Sequence, residues 1–460
     1  MTDITADAVQ LNNAAFLGHP KGLGWLSFAE FWERFSYYGM QALLVLYMTH
    51  QLLLPGHVEN VWGFGPFRAG IEALYGPLSP QALASAIFGL YAGFVYLTPI
   101  AGGMLADRVL GRTWTVTIGA LLMTIGHFLM AFEVSFLPAI TCLLLGVGCF
   151  KGNIATQVGD LYAPGDPRRA DAYQLYMLGI QLAVIVSPFI CGTLGEIYGW
   201  HLGFGAAGVG MLVGLTIYLI GRPHFPREAP RRQASDPPRT ALSTNDVRVI
   251  VVLCLLIPVL AVAMIGNQQI FNGFLVWGEA NFQLVFFGKT MPITWLLSFD
   301  ALISTTCLIA SLAFWRWWST RRTEPNEITK LTIGVVIAAA APLTLSLAAS
   351  LVETTGEKAG LGWALAFLIL NDLGFANVLP VGLALYSRAS PKALGGTIIG
   401  VYYIHLFMGN MLVGWLGGLL EKMPGSAFWL LHAGLMGGAA LILLFARRAA
   451  GQILAPTAKP

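Results

Sequence analysis

Three charged side chains stand inside the first apolar run of the chain, where they are placed to do chemistry. Glu30, Glu33 and Arg34 lie within one short stretch, and at 100° per residue they share a helix face with Tyr37. Each ionisable group near the centre of a membrane helix costs about 2.5–3.5 kcal/mol, so these groups must pair or line a cavity. Two acids and one base leave a carboxylate that can take up and release a proton. The alternative is a Glu/Arg pair that only holds two helices together.

Lys151 is a second charge far from any loop. It lies about ten residues inside the fourth apolar run, which is about 14 Å deep at the rise of a helix. Its neighbours on the helix are small and leave room for a partner: Gly148, Gly152 and Ala155. A buried lysine requires an anion, which Glu33, Glu30 or a substrate carboxylate would supply. The alternative is a lysine that is permanently paired for structural reasons.

The elements that must carry these groups are membrane helices. Of 460 residues, 56% are hydrophobic and only 11% are charged, whereas globular proteins have about 25% charged residues. About 20 apolar residues suffice to cross a bilayer, and the first apolar run holds three charges, so we interpret it as a retained helix and not as a signal peptide. The apolar runs predict twelve spans, at 24–52, 83–106, 113–133, 136–159, 171–198, 202–221, 249–278, 291–318, 327–351, 360–387, 393–420 and 427–446.

The positions of lysine and arginine predict the orientation. With both termini in the cytoplasm, 20 of the 26 Lys and Arg residues fall on the cytoplasmic side and four fall outside, as the positive-inside rule requires. A segment rich in proline and arginine separates six spans from six. We therefore predict an N-terminal bundle (1–221), a cytoplasmic linker (222–248) and a C-terminal bundle (249–460) in the cell inner membrane, which is the plan of two-lobed transporters. The linker is too short for two further spans.

A charged loop joins spans two and three. It begins with Gly102 and Gly103, which allow close helix packing, and it carries Asp107, Arg108 and Arg112. We expect these three charged residues to pair at the cytoplasmic face and to act in gating, so that breaking the pairs favours inward opening. The alternative is a loop whose arginines only fix the orientation in the membrane.

Residues 29–39, with the sequence AEFWERFSYYG, resemble the ExxERFxYYG motif of proton-dependent oligopeptide transporters, a branch of the major facilitator superfamily. Further similar segments cover nearly the whole chain, and the loop at 102–112 resembles the major facilitator loop signature; the similar segments are 22–23, 95–99, 151–162, 199–208, 380–383 and 409–410. The resemblance implies an all-α membrane protein with the major facilitator fold, twelve transmembrane helices and two six-helix bundles. It also implies an importer of di- and tripeptides that is driven by protons and works by alternating access.

The resemblance also assigns roles. Arg34 and Lys151 would receive the carboxylate of the substrate, while Glu33 pairs with Lys151 and, with Glu30, takes part in proton coupling. We add these residues to the substrate site: Tyr37, Tyr38, Tyr96, Asn153 and Gln181. Tyr402, Tyr403 and His405 are either lining or packing residues.

Three charges that are typical of the family are missing. Gln41 stands in place of an arginine and Asn267 in place of a glutamate, so we expect a gate rebuilt with amide hydrogen bonds, because neutralising both partners of a buried pair is nearly neutral in energy. Phe375 replaces the glutamate that the resemblance assigns to the amino group of the peptide. Asp372, one turn earlier, is a candidate replacement, and Asp300 in span eight is another. The alternative function is therefore proton-coupled transport of a carboxylated solute that is not a peptide.

Other classes of function find little support in the sequence. No HExxH or GxSxG motif and no cysteine or histidine cluster at metal-ligand spacing is present, so we expect no enzyme, no catalytic residue, no metal site and no cofactor other than the coupling proton. A net charge of +3 does not indicate a nucleic-acid partner. The expected partners are a small-molecule substrate and the lipid bilayer, with the protein active as a monomer.

Overall fold

Helices account for almost all of the structure, a computed structural model that describes residues 16–163, 165–226, 243–391 and 394–454. The middle of the predicted linker, 227–242, lies outside the described residues. One small hairpin is present, in which strand β1 (Val285–Phe286) pairs antiparallel with β2 (Lys289–Thr290).

Seven α-helices precede the linker in the described part of the chain. They are α1 (Lys21–Tyr47), α2 (Phe64–Tyr75), α3 (Pro80–Leu105), α4 (Arg112–Leu129), α5 (Phe136–Asp160), α6 (Arg168–Ser187) and α7 (Trp200–Gly221). Wider π-helical turns extend α1 to Leu52, α3 to Leu110 and α6 to Tyr198. The sequence analysis did not predict α2, which is too short to be a span.

Among the described residues after the linker, eight α-helical segments are present. They are α8 (Thr244–Ala263), α9 (Ile265–Gln269), α10 (Gly273–Asn281), α11 (Trp295–Ser319), α12 (Glu327–Thr355), α13 (Leu361–Ala389), α14 (Gly395–Gly417) and α15 (Gly425–Ile453). The seventh predicted span is therefore three segments and not one helix. Asn272 lies at the second break, where its Oδ1 accepts a hydrogen bond from Ser85 Oγ at 3.0 Å.

Each of the twelve predicted spans coincides with one of these helices or, for the seventh, with the broken series α8–α10. Within the described ranges, ten helices are long and apolar enough to cross a membrane by length and composition. The other two spans are α4, which has 18 residues, and α1, whose charged residues lower its hydropathy. The protein is a multi-pass helical membrane protein.

The described chain forms two compact units. The first holds the residues up to Phe67 and those from Leu97 to the linker, and the second holds Arg68 to Tyr96 and the residues after the linker. The change from one unit to the other therefore falls inside α3.

Small residues bring the helices of the first unit close together. A Cβ atom added to Gly102 of α3 would lie 1.9 Å from the carbonyl oxygen of Gly148 in α5, and one added to Gly39 of α1 would lie 2.5 Å from Cys191 Sγ. Such contacts allow dense packing where apolar burial between helices supplies little driving force. The glycine contact in α5 lies one turn before Lys151 and fixes the height of that lysine against α3.

The second unit packs in the same way around α13. A Cβ atom on Gly374 of α13 would lie 2.6 Å from the Cβ of Ala338 in α12. Helix α13 also contacts α11 and α14. This helix carries Asp372, so its close packing determines which side chains that carboxyl group meets.

Candidate functional site

The charged residues of α1 form one buried cluster. Arg34 Nε donates a hydrogen bond to Glu30 Oε1 at 2.8 Å and lies 2.6 Å from Glu33 Oε2. At most 3% of any of these three residues is exposed. The predicted pairing on one helix face is present, and both acids share one guanidinium group.

Lys151 completes this cluster from α5. It interacts electrostatically with Glu33, Glu30 and Arg34, and α1 packs directly against α5. The space around it is uneven, because a Cβ at Gly148 would lie 2.8 Å from Thr98 Cβ whereas one at Gly152 would meet nothing within 4 Å. Of the two glycines, only Gly152 borders open space, and Gly148 serves the packing of α3 on α5.

Aromatic side chains surround the cluster. The Tyr37 ring centroid lies 5.7 Å from Arg34 Cζ, a cation–π distance, and its edge contacts the Tyr38 ring at 5.1 Å between centroids. Tyr176 of α6 interacts with the Glu30 side chain and is buried. The sequence analysis missed Tyr176, since no spacing rule within α6 reports its distance from α1.

The remaining predicted site residues before the linker lie in different surroundings. Asn153 Nδ2 donates to the carbonyl oxygens of Cys149 at 2.9 Å and Gly102 at 3.3 Å, so this amide connects α5 to α3. Gln181 is half-buried on α6. Tyr96 belongs to the second unit, where it packs against an apolar cluster.

The loop between α3 and α4 holds a short chain of ion pairs. Arg112 Nη1 lies 2.5 Å from Asp160 Oδ2 at the end of α5, and Arg112 Nη2 lies 3.7 Å from Asp107 Oδ1. Gly111 adopts φ +78° and lets the chain turn sharply into α4. Asp160 was missed as a partner, because its role depends on where α5 ends beside this loop.

Two acidic side chains meet in the second unit. The carboxyl groups of Asp300 of α11 and Asp372 of α13 lie close enough to interact, and Asn371 Nδ2 approaches Asp372 Oδ1 at 3.4 Å. Asp372 is 1% exposed. The two residues that the sequence offered as separate candidates for the missing glutamate therefore lie together.

Amide side chains occupy the break in the seventh span. Gln268 Nε2 donates to Asn267 Oδ1 at 3.0 Å, and Asn410 Nδ2 of α14 donates to Gln268 Oε1 at 3.1 Å. This network supports part of the expectation that amides replace charges here. Gln41 of α1 is buried, and its Oε1 has no hydrogen-bond partner among the described residues. A Gln41–Asn267 gate stays a prediction.

Several candidates in the second unit act in packing. The Tyr402 hydroxyl donates to the Leu379 carbonyl oxygen at 2.7 Å, His405 Nδ1 contacts the Tyr402 carbonyl oxygen, and Phe375 packs against the apolar cluster. In the described part of the chain, no group of three or more His, Cys, Asp and Glu side chains is arranged to hold a metal ion.

The chain is similar in sequence to known transporters. The sequence profile of the POT family (PTR2) matches residues 113–237. The chain is 29% identical to a di-/tripeptide transporter of Lactococcus lactis subsp. lactis (strain IL1403) over 453 residues, which cover 85% of this chain and 87% of the relative. It is 27% identical over 474 residues to the peptide transporter YePEPT of Yersinia enterocolitica, with 88% of each chain covered.

The fold agrees with this match. A crystal structure of a POT peptide transporter in complex with sulfate superposes with a TM-score of 0.84 at 23% identity, covering 98% of this chain and 99% of that one. The chain is therefore similar to POT family transporters in sequence and shares the fold of this one. The predicted all-helical transporter fold is confirmed, and the charged cluster of α1 lies in the segment 29–39 that resembles the motif of proton-dependent oligopeptide transporters.

Proposed function

We propose that this protein is a member of the POT family and a proton-coupled symporter that imports di- and tripeptides or peptide-like small molecules by alternating access. The observation that carries the proposal is the buried cluster of Glu30, Glu33, Arg34 and Lys151 in the first unit. It combines two cations suited to a carboxylate with two carboxyl groups suited to a proton. The peptide transporters among the relatives support the substrate class.

Charge balance within the cluster suggests how proton and substrate are linked. With both acids ionised, two carboxylates face two cations, and the cluster is neutral. When a proton neutralises Glu30 or Glu33, one positive charge is left without a counterion, and burial makes that imbalance costly. A substrate carboxylate then restores neutrality at Lys151 and Arg34.

The reverse step follows from the same balance. Loss of the proton returns a carboxylate to the cluster, which competes with the substrate for Lys151 and favours release. Such coupling requires the proton and substrate to bind one state of the carrier better than the other. Tyr37 and Tyr38 complete the carboxylate end of the site, together with Tyr96 and Gln181 as further candidate lining residues.

Uptake into liposomes tests this function. The purified protein should accumulate dialanine under an inward proton gradient and should lose that accumulation when an uncoupler is added. Protein-free liposomes and liposomes without a gradient are the controls. Failure to transport dialanine under the gradient would refute the peptide assignment, whereas accumulation that survives the uncoupler would refute the proton coupling.

A second candidate function keeps the fold and the coupling but changes the solute. Phe375 stands where an acid for the substrate amino group is expected, and Asp372 is engaged with Asp300. A POT family transporter of known structure has been captured with 5-aminolevulinic acid, which carries a carboxylate and an amine but is no peptide. A thermal-shift screen of carboxylated metabolites beside peptides, followed by uptake of each hit, separates the two functions.

The proposal also includes the location of the protein and its orientation in the membrane. We place the protein in the cell inner membrane with both termini in the cytoplasm, because lysine and arginine are concentrated on that side. We further propose that it acts as a monomer, catalyses no chemical reaction and uses no cofactor besides the proton. Gating is assigned to Asp107, Arg108 and Arg112, with Gln41 and Asn267 as the amide counterparts.

A further inference from the structure

The acid pair of the second unit lacks the counterions that the α1 cluster possesses. The side chains of Asp300 and Asp372 interact with each other, and no lysine, arginine or histidine of the described residues forms an ion pair with either. Asp300 Oδ1 and Asp372 Oδ2 are buried without a hydrogen-bond partner in this part of the chain. Asn371 Nδ2 is the one side-chain donor to the pair that the described residues supply, at 3.4 Å from Asp372 Oδ1.

Two carboxyl groups in this position cannot both be ionised. Like charges in contact repel strongly in a medium of low polarity, and a hydrogen bond between two carboxyl groups requires a proton on one of them. Aspartic proteases solve the same problem by sharing one proton between two aspartates. A proton held by one of the two carboxyl groups would remove this repulsion for as long as the two side chains stay in contact.

The described residues of the neighbouring elements place no cation beside the two carboxyl groups. On α11, Cys307 interacts with both aspartates. Helix α12 meets α13 through Gly334 and Ala338. The α9 segment presents Gly266, where an added Cβ would lie 3.2 Å from Asn371 Oδ1.

Other titratable groups on the packed helices are already engaged. Their contacts are Glu327 with Arg388, Lys330 with Glu324, Glu353 with Ser426, Tyr402 with Leu379 and His405 with Tyr402. Tyr403 of α14 packs against Tyr402. The proton between the two aspartates is therefore the one compensating charge that the surrounding described residues leave open.

We propose that Asp300 and Asp372 hold one proton between them and that this proton travels with the substrate as a second coupling proton. This inference rests on the proposed symport function and adds a proton site in the second unit to the one in the α1 cluster. Taking up or releasing this proton changes the net charge of the two aspartates. It therefore changes the free energy of keeping α11 and α13 in contact.

The first test needs no substrate. The thermal midpoint of the purified protein is measured in detergent over a series of pH values for the wild type, Asp300→Asn, Asp372→Asn and the double variant. Between about pH 4, where an unfolded aspartate releases its proton, and the pH at which the folded protein releases the shared proton, the wild type should lose roughly 1–2 °C per pH unit, and above that pH the loss should stop. Each single variant should lack this loss, because an asparagine N–H donates to the remaining carboxylate without an added proton.

Asp171→Asn is the matched control, since it removes one carboxyl group at an exposed position on α6 and should keep the wild-type profile. If the thermal midpoints of the wild type and of the asparagine variants change with pH in the same way, the proposal of a shared proton is wrong. If one single variant fails to fold, the other and the double variant decide the same point, because each of them removes the acid pair.

The second test measures transport. Proton-to-dialanine stoichiometry is determined in liposomes from the proton gradient that just balances a known dialanine gradient. Asp300→Asn should carry one proton fewer than the wild type. An unchanged ratio would overturn the coupling role even if the thermal profile shows the shared proton. If the wild type transports no dialanine, the proposed function fails, while the thermal profile still decides whether the pair holds a proton.

Discussion

Arg34 Nε lies 2.6 Å from Glu33 Oε2, although the two residues are consecutive in α1. Neighbours in a helix point about 100° apart and do not normally face each other. The arginine side chain reaches both Glu33 and Glu30, the latter at 2.8 Å. One guanidinium group thus serves two carboxylates, and Lys151 supplies the second positive charge of the cluster. Removal of a single charge must therefore disturb all four residues.

Replacing Glu33 by glutamine should abolish the accumulation of substrate driven by a proton gradient and should spare counterflow. The amide keeps the shape of the side chain but cannot exchange a proton. The measurement compares gradient-driven uptake with exchange of labelled for unlabelled dialanine in the same liposomes. Asp171→Asn, which removes an exposed acid, is the control. Accumulation by Glu33→Gln at the wild-type level would contradict the assigned coupling role.

Replacing Lys151 by glutamine should weaken the recognition of a free carboxylate. A hydrogen bond to a charged group is worth about 1.5–3 kcal/mol, which corresponds to roughly a 10- to 100-fold change in affinity. The wild type should therefore prefer dialanine to its carboxyl-terminal amide, and the variant should lose most of that preference. Competition against labelled dialanine, or thermal shift where transport is lost, measures the ratio. An unchanged ratio would show that Lys151 does not contact the carboxylate.

Replacing Gly102 by alanine should destabilise the first unit, because the new Cβ would lie 1.9 Å from the Gly148 carbonyl oxygen. Overpacking of this kind costs about 1–3 kcal/mol. The neighbouring substitution Gly103→Ala is a matched control, since a Cβ there meets nothing within 4 Å. Thermal midpoints in detergent should fall for the first variant and stay near the wild type for the second. Equal midpoints for both variants would refute the close contact of α3 with α5.

The pair of Arg112 and Asp160 should contribute little to stability despite its short distance. The two side chains are 36% and 42% exposed, and exposed ion pairs are worth about 0.2–1 kcal/mol. A double-mutant cycle with Arg112→Gln and Asp160→Asn should give a coupling energy in that range. The double-mutant cycle of Arg112 with Asp107 should give a smaller coupling energy, because Asp107 Oδ1 lies 3.7 Å from Arg112 Nη2 and this carboxylate is more exposed. Coupling well above this range would mean that the loop is shielded from water.

Helix positions and the charged motif could be obtained from the sequence because they depend on local information. A span is recognised from about 20 apolar residues in a row, so the twelve predicted spans agree with the helices. The face shared by Glu30, Glu33 and Arg34 follows from the helical repeat alone. Even the broken seventh span was predicted at the right place, although its two interruptions at Met264 and Asn272 were not.

Which side chains meet across helices was decided by the tertiary structure. The contacts of Tyr176 with the α1 cluster, of Asp160 with Arg112 and of Asp300 with Asp372 join residues on different helices. They depend on how closely and at what height those helices pack, and that is determined by contacts such as Gly102 on Gly148 and Gly374 on Ala338. The hydropathy and the residue spacing of a sequence do not report the distances between side chains on different helices. The sequence by itself therefore determined the helices and the charges that they carry, whereas only the packing decided that two aspartates in separate spans would have to share one proton.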